Sequence, residues 1–302
     1  MKWALILINE TAGTGKAGGH VMRIISEAAK AGYEPVVYPI VPGTSLTSEK
    51  LIKAYEGKVD LVLCSGGDGT LNHVMNGLMM LPKRPKLAYI PAGSTNDFAR
   101  GLGIPANKKR AIDTAFHGGV FTYDVGRMND RYFNYVAAFG AFAEISYDTK
   151  QEWKNVLGYA AYFLNAVSEL YQNIHYSHHI VIETPDGREE GDYVFGAVCN
   201  SISVGGLPLF GKADVRLNDG KMELLLIKAP KNLIEFQAVV TTLRKGLSNH
   251  PSISFMQIST SVTFESEKEV AWTLDGEFGG SFKQSKISVI DDAISVMTMH
   301  DM

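Results

Sequence analysis

Val59-Asp60-Leu61-Val62-Leu63-Cys64-Ser65, running directly into Gly66-Gly67-Asp68-Gly69-Thr70, is the stretch that decides the fold. Its first part is a Val, Leu and Cys run, as in a parallel strand buried on both faces. Three glycines within four positions then break the strand, and the apolar spacing from Leu71 to Leu81 predicts a helix. A strand that turns through glycines into a helix lets its backbone approach a ligand with no Cβ in the way. The N–H groups of such a turn can surround an oxyanion, and Thr70 adds a hydroxyl donor. Asp68 cannot face a bare phosphate, because like charges repel. It fits there if Mg2+ or a hydroxyl proton lies between.

The same alternation continues on both sides. Trp3–Asn9 and Tyr33–Pro39 read as strands, with a glycine-rich turn and a helix from His20 to Ala31 between them. Ser48–Tyr55 is a helix, and Leu87–Ile90 is a fourth strand ended by Pro91-Ala92-Gly93. This order predicts a doubly wound parallel sheet, with ligands beyond the carboxyl ends of the strands. After about Asp124 the pattern changes to short period-2 runs: Tyr132–Val136, His179–Glu183, Tyr193–Cys199, Met222–Ile227, Ile253–Ile258, Val262–Phe264, Ala271–Leu274, Ile287–Ile290 and Ile294–Met299. Turn signals such as Pro185-Asp186-Gly187, Asn218-Asp219-Gly220 and Asp275-Gly276 divide them. That half reads as an antiparallel β-sandwich, interrupted by helices at Asn155–Asn173 and Leu233–Lys245. The expected fold class is α/β plus β: a domain over residues 1–125, which the C-terminal strand 290–302 can rejoin, and a β-sandwich over 126–289.

Composition bounds the function. The chain has 302 residues and a net charge of −3, which gives no support to bulk nucleic-acid binding. Its two cysteines are too few for a disulfide framework and lie in apolar runs, as buried thiols of a reducing compartment do. The longest uncharged apolar run, about Tyr135–Ala143, falls well short of the roughly 20 residues that span a bilayer. The N-terminal run lacks signal-peptide flanks. These features predict a cytoplasmic chain, with transient contact at a membrane surface left open.

Two other glycine-rich stretches compete for attention. Gly13-Thr14-Gly15-Lys16-Ala17-Gly18 matches G-x-G-x-x-G between a strand and a helix. The acidic residue of a dinucleotide site should end the second strand, whereas Glu34 stands at its start. The P-loop pattern fails too, with Glu10 for the first glycine and Ala17 for the metal-binding hydroxyl. Pro91-Ala92-Gly93-Ser94-Thr95-Asn96-Asp97-Phe98-Ala99-Arg100 is denser in hydrogen-bonding groups. A capped helix start accounts for Ser, Asn and Asp there, and Asp97 and Arg100 share a face if a helix begins. Its place beside the Gly-Gly-Asp-Gly turn favours a shared site.

Gly66-Gly67-Asp68-Gly69-Thr70-Leu71-Asn72, followed by Pro91-x-Gly93-Ser94-x-Asn96-Asp97-Phe98-Ala99, resembles the catalytic domain of diacylglycerol kinases. The likeness is to the soluble bacterial lipid kinases, which are similar to sphingosine and ceramide kinases. Asn9, Asp124-x-Gly126, Asn218-Asp219-Gly220 and Leu274-Asp275-Gly276-Glu277 follow in that family's order, so the resemblance covers essentially the whole chain. Gly-Gly-Asp-Gly alone is less specific, since NAD kinases and 6-phosphofructokinases carry it on a related α/β domain.

The resemblance implies transfer of the γ-phosphoryl group of ATP to a lipid hydroxyl with Mg2+, most simply on diacylglycerol to give phosphatidic acid. It implies that Gly66, Gly67, Asp68, Gly69, Thr70, Leu71 and Asn72 hold the ATP phosphates, with Asn9, Thr44 and Ser94 as further nucleotide contacts. Lys16, Arg23, Asp97, Arg100 and Asp124 would join Asp68 in a charged network around metal and phosphates. The base that takes the acceptor proton would be Asp275 or Glu277, a choice left open. A structural metal would be held by Asp219 with the backbone carbonyls of Arg216 and Lys221. Without the resemblance, Asp275-Gly276 and Asn218-Asp219-Gly220 read as plain turns. Trp153–Tyr171 is apolar nearly all round, which suits core or dimer packing or contact with an acyl chain. His175, His178 and His179 have poor spacing for a metal and read as a solvated helix end. A homodimer stays open. The competing functions are an NAD-kinase-like phosphotransferase and a catalytically silent nucleotide-binding regulatory protein.

Overall fold

A computed structural model describes residues 1–9, 20–41, 43–93, 96–140, 177–201, 216–244 and 250–299. The glycine stretch at 13–18 with Lys16, Ser94, the helix expected at 155–173 and His175 lie outside the described residues. The chain divides into two compact units, Met1–Tyr123 with Asp292–Met302, and Asp124–Asp291.

The first unit is built on parallel strands β1 (Lys2–Asn9), β2 (Tyr33–Ile40), β3 (Leu61–Gly66) and β4 (Lys86–Pro91). They lie in the order β2-β1-β3-β4, and β4 also pairs in parallel with the C-terminal part of β13 (Glu277–Thr298). Ala4–Ile8, Leu61–Cys64 and Leu87–Ile90 are buried throughout, which is why these strands are apolar without alternation. On one face Ala4, Ile6, Leu63 and Ile90 pack with Ile24 and Ala28 of α1 (Val21–Lys30) and with Ile112 and Phe116 of α5 (Lys108–His117). Elsewhere in this unit α2 (Ser48–Ala54) packs closely on α3 (Asp68–Met79). A Cβ on Gly77 of α3 would meet Ile52 Cδ1 at 2.8 Å and Glu49 Cα at 3.1 Å, so a glycine sets that close approach.

Two details differ from the sequence reading. Helix α3 begins at Asp68, three residues before the expected Leu71, because Gly67 takes the extended N-cap conformation. Helix α5 was not expected at all. Its core face is Ala111, Ile112, Ala115 and Phe116, and the Lys108-Lys109-Arg110 opening supplies no acidic first turn to announce it.

The second unit is antiparallel. It contains the second half of β5 (Gly119–Met128), paired with β6 (Arg131–Phe133), then β7 (Val136–Gly140), β8 (His178–Thr184), β9 (Gly187–Cys199), β10 (Met222–Lys228), β11 (Ile253–Ile258) and β12 (Ser261–Leu274), with α6 (Leu233–Arg244). Strands β9 and β12 are long, and β7 joins them at one end while β8 joins them at the other. This wraps the strands around one core, whose centre is Phe139, Phe264 and Trp272. Their rings meet edge to face, with centroids 4.9 to 5.9 Å apart. Gly196, opposite Phe139, leaves room for its ring. The separate runs Val262–Phe264 and Ala271–Leu274 belong to one strand, whose register shifts between Glu265 and Val270. His178 and His179 lie in strand β8, not at a helix end. Among the described residues, no helix is long and apolar enough to cross a membrane.

Phe139→Ala is expected to lower the unfolding free energy of the second unit by about 3–5 kcal/mol, through lost burial and a cavity beside Trp272. Urea denaturation measures it. A loss below about 1 kcal/mol would mean that the aromatic cluster collapses into the gap.

Candidate functional site

Strands β3 and β4 are parallel neighbours whose ends are in register, Gly66 opposite Pro91. Two loops therefore leave the sheet side by side. Ala92 N–H donates to Gly66 O at 2.7 Å. One residue on, the backbones of Gly67 and Gly93 touch. A Cβ on Gly93 would lie 2.7 Å from Gly67 Cα, and one on Gly67 would lie 3.2 Å from Gly93 Cα. A Cβ on Gly66 would strike the Thr70 side chain. Glycine is required here by contact between the loops as well as by access for a ligand.

Side chains tie the loops together. Asn9, at the end of β1, donates from Nδ2 to Thr70 Oγ1 at 2.8 Å. The Asp97 N–H, at the start of α4 (Asp97–Gly101), donates to Asp68 Oδ2 at 3.2 Å. Asn96 takes the left-handed conformation, φ +50°. Its Oδ1 accepts from Gly93 N–H at 2.9 Å and its Nδ2 donates to Gly93 O at 2.8 Å. Tyr89 Oη, below both loops, lies 3.1 Å from Gly66 O and 3.3 Å from Asn96 Oδ1. Asp97 is mostly buried; burial raises its pKa, and Arg100 opposes that from 3.9 Å. Asn72 is buried, and its side-chain oxygen accepts from Asn76. Thus Asn9, the Gly66–Asn72 turn, Gly93, Asp97 and Arg100 form one constellation at the carboxyl edge of the parallel sheet.

Two candidates make other contacts. The Thr44 hydroxyl donates to Val41 O at 2.9 Å within its own turn. Arg23 is exposed on α1, where its charge acts on Glu27 one turn on.

Asp124 belongs to the second unit and is fully buried. Its Oδ2 accepts the Gly220 N–H at 2.8 Å, and its backbone N–H donates to Leu217 O. Asn200 Nδ2 donates to Asp124 O and Leu217 O, clamping the same loop. A carboxylate oxygen of Asp291 lies within 4.8 Å of one of Asp124. Asp219 Oδ1 accepts from Lys221 N–H, and Arg216 is exposed. Glu223, just beyond, is buried. Burial, against a hydrogen bond from Gln257 and with the Asp219 charge adding, raises its pKa to about 7. The carboxylates here are oxygen donors of the kind that suits a hard divalent cation. Neither Asn200 nor Asp291 was singled out from the sequence. The Asp291-Asp292 pair inside a strand pattern was the available signal for the second.

Asp275 and Glu277 flank Gly276 in a hairpin turn between β12 and β13. Asp275 and Gly276 both have positive φ, +51° and +86°, as a two-residue type I′ loop requires. Asp275 is 4% exposed, and its carboxylate accepts at least four hydrogen bonds. They come from Asn134 N–H at 2.7 Å and Nδ2 at 3.0 Å, Tyr135 N–H at 3.0 Å and Val136 N–H at 3.2 Å. Glu277, by contrast, is exposed.

Residues 3–128 match the family model of the diacylglycerol kinase catalytic domain. The chain is 33% identical over 284 residues to the diacylglycerol kinase of Bacillus subtilis strain 168, covering 93% of this chain and 91% of that one. It is 31% identical over 302 residues to the diacylglycerol kinase of Staphylococcus epidermidis strain RP62A, covering 100% and 93%. A solved structure from Bacillus anthracis str. Sterne matches with a TM-score of 0.83 at 26% identity, covering 98% of this chain and 95% of that one.

Helix α3 is also held at its α2 side. Burial favours neutral Glu49, but hydrogen bonds from His73 (2.7 Å), its own backbone N–H and Thr47 hold its pKa down to about 2. The folded value lies below the ordinary 4.5. Glu49 therefore adds stability above pH 4.5 that fades as pH falls toward 2. Glu49→Gln is expected to lower stability near pH 6 and to converge with the unaltered protein near pH 2–3. Denaturation midpoints across that range measure it, and a gap independent of pH would contradict the assignment.

Proposed function

We propose, from the premise that this chain belongs to the diacylglycerol kinase family, that it transfers the γ-phosphoryl group of ATP to the free hydroxyl of diacylglycerol, giving phosphatidic acid. The observation that carries the reading is the pair of touching glycine loops with Asp68 and Asp97 beside them. Backbone N–H groups at Gly67–Thr70, at the N-terminus of α3, suit phosphate oxygens. Asn9 and Thr70 position one another at that edge, and Arg100, beside Asp97 and exposed, is the candidate cation for an outer oxygen. Thr44, Ser94, Lys16 and Arg23 are further candidates for nucleotide and phosphate contact.

Mg2+ bound with the nucleotide would neutralise the phosphate charge that develops as the γ-group leaves. Asp68 and Asp97 suit it through hydrating water, as carboxylates near a triphosphate do. A second Mg2+ suits the 216–221 loop, with the Asp219 carboxylate and the Arg216 and Lys221 carbonyls as its donors and Asp124 bracing the loop through Gly220.

Glu277 is the better reading for the base. The four hydrogen bonds to Asp275 occupy the lone pairs that a proton acceptor needs, and they give it a structural task. Glu277 is open to solvent and free to take the acceptor hydroxyl proton. As that proton leaves, the lipid oxygen bonds to the γ-phosphorus, the bond to the β-bridging oxygen breaks, and ADP departs.

Purified protein given labelled ATP, Mg2+ and a panel of diacylglycerol, ceramide, sphingosine, phosphatidylglycerol and NAD is expected to label diacylglycerol. Label in NAD alone would support an NAD-kinase-like enzyme, and ATP binding without any labelled product a silent regulatory protein. Asp68→Ala is expected to abolish transfer while leaving the fold intact. Glu277→Gln is expected to lower kcat by at least about 100-fold with little change in KM for ATP. Asp275→Ala is expected instead to cost about 3 kcal/mol or more of stability, because it strands buried donors. Near-normal kcat in Glu277→Gln would remove Glu277 from the proton transfer.

A further inference from the structure

We infer that Tyr89 is a positioning residue whose hydroxyl, with the Asn96 amide, sets the spacing of the two glycine loops and thereby the affinity for the nucleotide phosphates. The inference deepens the nucleotide reading given above and rests on it.

Tyr89 is the fourth residue of β4, opposite Cys64 of β3, and is 1% exposed. Its ring is fixed by packing, with Phe98 edge-on at 6.2 Å. Its hydroxyl meets two acceptors from different loops: Gly66 O, where β3 ends, and Asn96 Oδ1, at the start of α4. Neither acceptor needs the phenol to be satisfied. Gly66 O already accepts from Ala92 N–H at 2.7 Å, and Asn96 Oδ1 from Gly93 N–H at 2.9 Å. Phenylalanine would fill the same space in the core. What the hydroxyl adds is one proton shared between the loops.

Asn96 completes the clasp. Its two hydrogen bonds to Gly93 fix which amide atom faces Tyr89, because the nitrogen is committed to Gly93 O. Its left-handed backbone is a conformation that asparagine tolerates better than most residues. Burial, with the charge of Asp68 adding, pushes the Tyr89 phenol far up, so it remains a donor. The Gly67–Gly93 contact sets how near the loops can come. The Tyr89 hydroxyl, which reaches Gly66 O across the gap and Asn96 Oδ1 on its own side, limits how far they part. Loops free to separate would spread their N–H groups over more positions, and binding would pay for reordering them.

The test uses the full chain. Calorimetry gives the Kd for ATP with Mg2+ in the absence of lipid, and steady-state assays with diacylglycerol give KM and kcat. Tyr89→Phe is expected to raise Kd and KM for ATP about three- to tenfold. KM for the lipid and kcat at saturation should stay within about twofold, and Tm within about 3 °C. Asn96→Gly keeps the left-handed backbone and should weaken ATP binding similarly. The double variant should bind no more weakly than the weaker single one. Unchanged Kd in Tyr89→Phe, or fully additive effects, would overturn the inference. So would a kcat that falls with Tm while KM for ATP stays fixed, which marks a merely structural residue. An unaltered protein that binds no ATP would sink the nucleotide reading and the clasp together. If it binds ATP but labels no lipid, only the acceptor reading fails, and the calorimetric Kd values still decide on the clasp.

Discussion

The contact between the backbones of Gly67 and Gly93 is the constraint on which the first unit's candidate site depends. Parallel strands that end in register release their loops about one strand spacing apart, roughly 5 Å. With side chains on the facing residues, the loops would be wedged apart and their amide groups would not converge. With glycine on both, the backbones meet, Tyr89, Asn96 and the Asp97 amide link the two loops, and Asn9 holds the first of them through Thr70. The glycines serve ligand access and loop packing at once.

Environment, more than residue type, separates the acidic groups. Asp68 is held at one oxygen by the Asp97 amide. Asp97 is mostly buried beside an exposed arginine. Asp124 is spent on the 217–220 loop, with Asp291 close by. Asp275 lies two positions from Glu277, yet its oxygens are filled by three backbone amides and an asparagine while Glu277 remains open. The mild net negative charge of the chain conceals this sorting, because charges that hold backbone and charges that face solvent count alike.

Much of the first unit was legible because strands buried on both faces must be apolar without a break, as β1, β3 and β4 are. Glycine punctuation placed the loops for the same reason, since few other residues permit those turns. Helix α5 escaped because its apolar face is short and follows three cations with no acidic first turn; its one signal, the Asn107 cap whose Oδ1 accepts from the Lys109 and Arg110 N–H groups, reads as an ordinary turn residue after Pro105. Strand β12 was read as two strands because a register shift interrupts its alternation. Tyr89 was missed because an aromatic residue inside a buried strand looks like core. Its hydroxyl acquires a task only when β3 ends beside it.

The sequence by itself determined the order of elements, the change from parallel α/β to antiparallel β, the family, and the glycine turns with their adjacent acids. All of these follow from local period, turn chemistry and motif spacing, which chain order preserves. Only the tertiary structure distinguished Asp275 from Glu277, attached Asp124 to the Gly220 loop, and placed one phenol under two loops. Those facts depend on which distant backbone amides and carbonyls come within hydrogen-bond reach, and residues some 140 positions apart, such as Asn134 and Asp275, meet only when the strands pair.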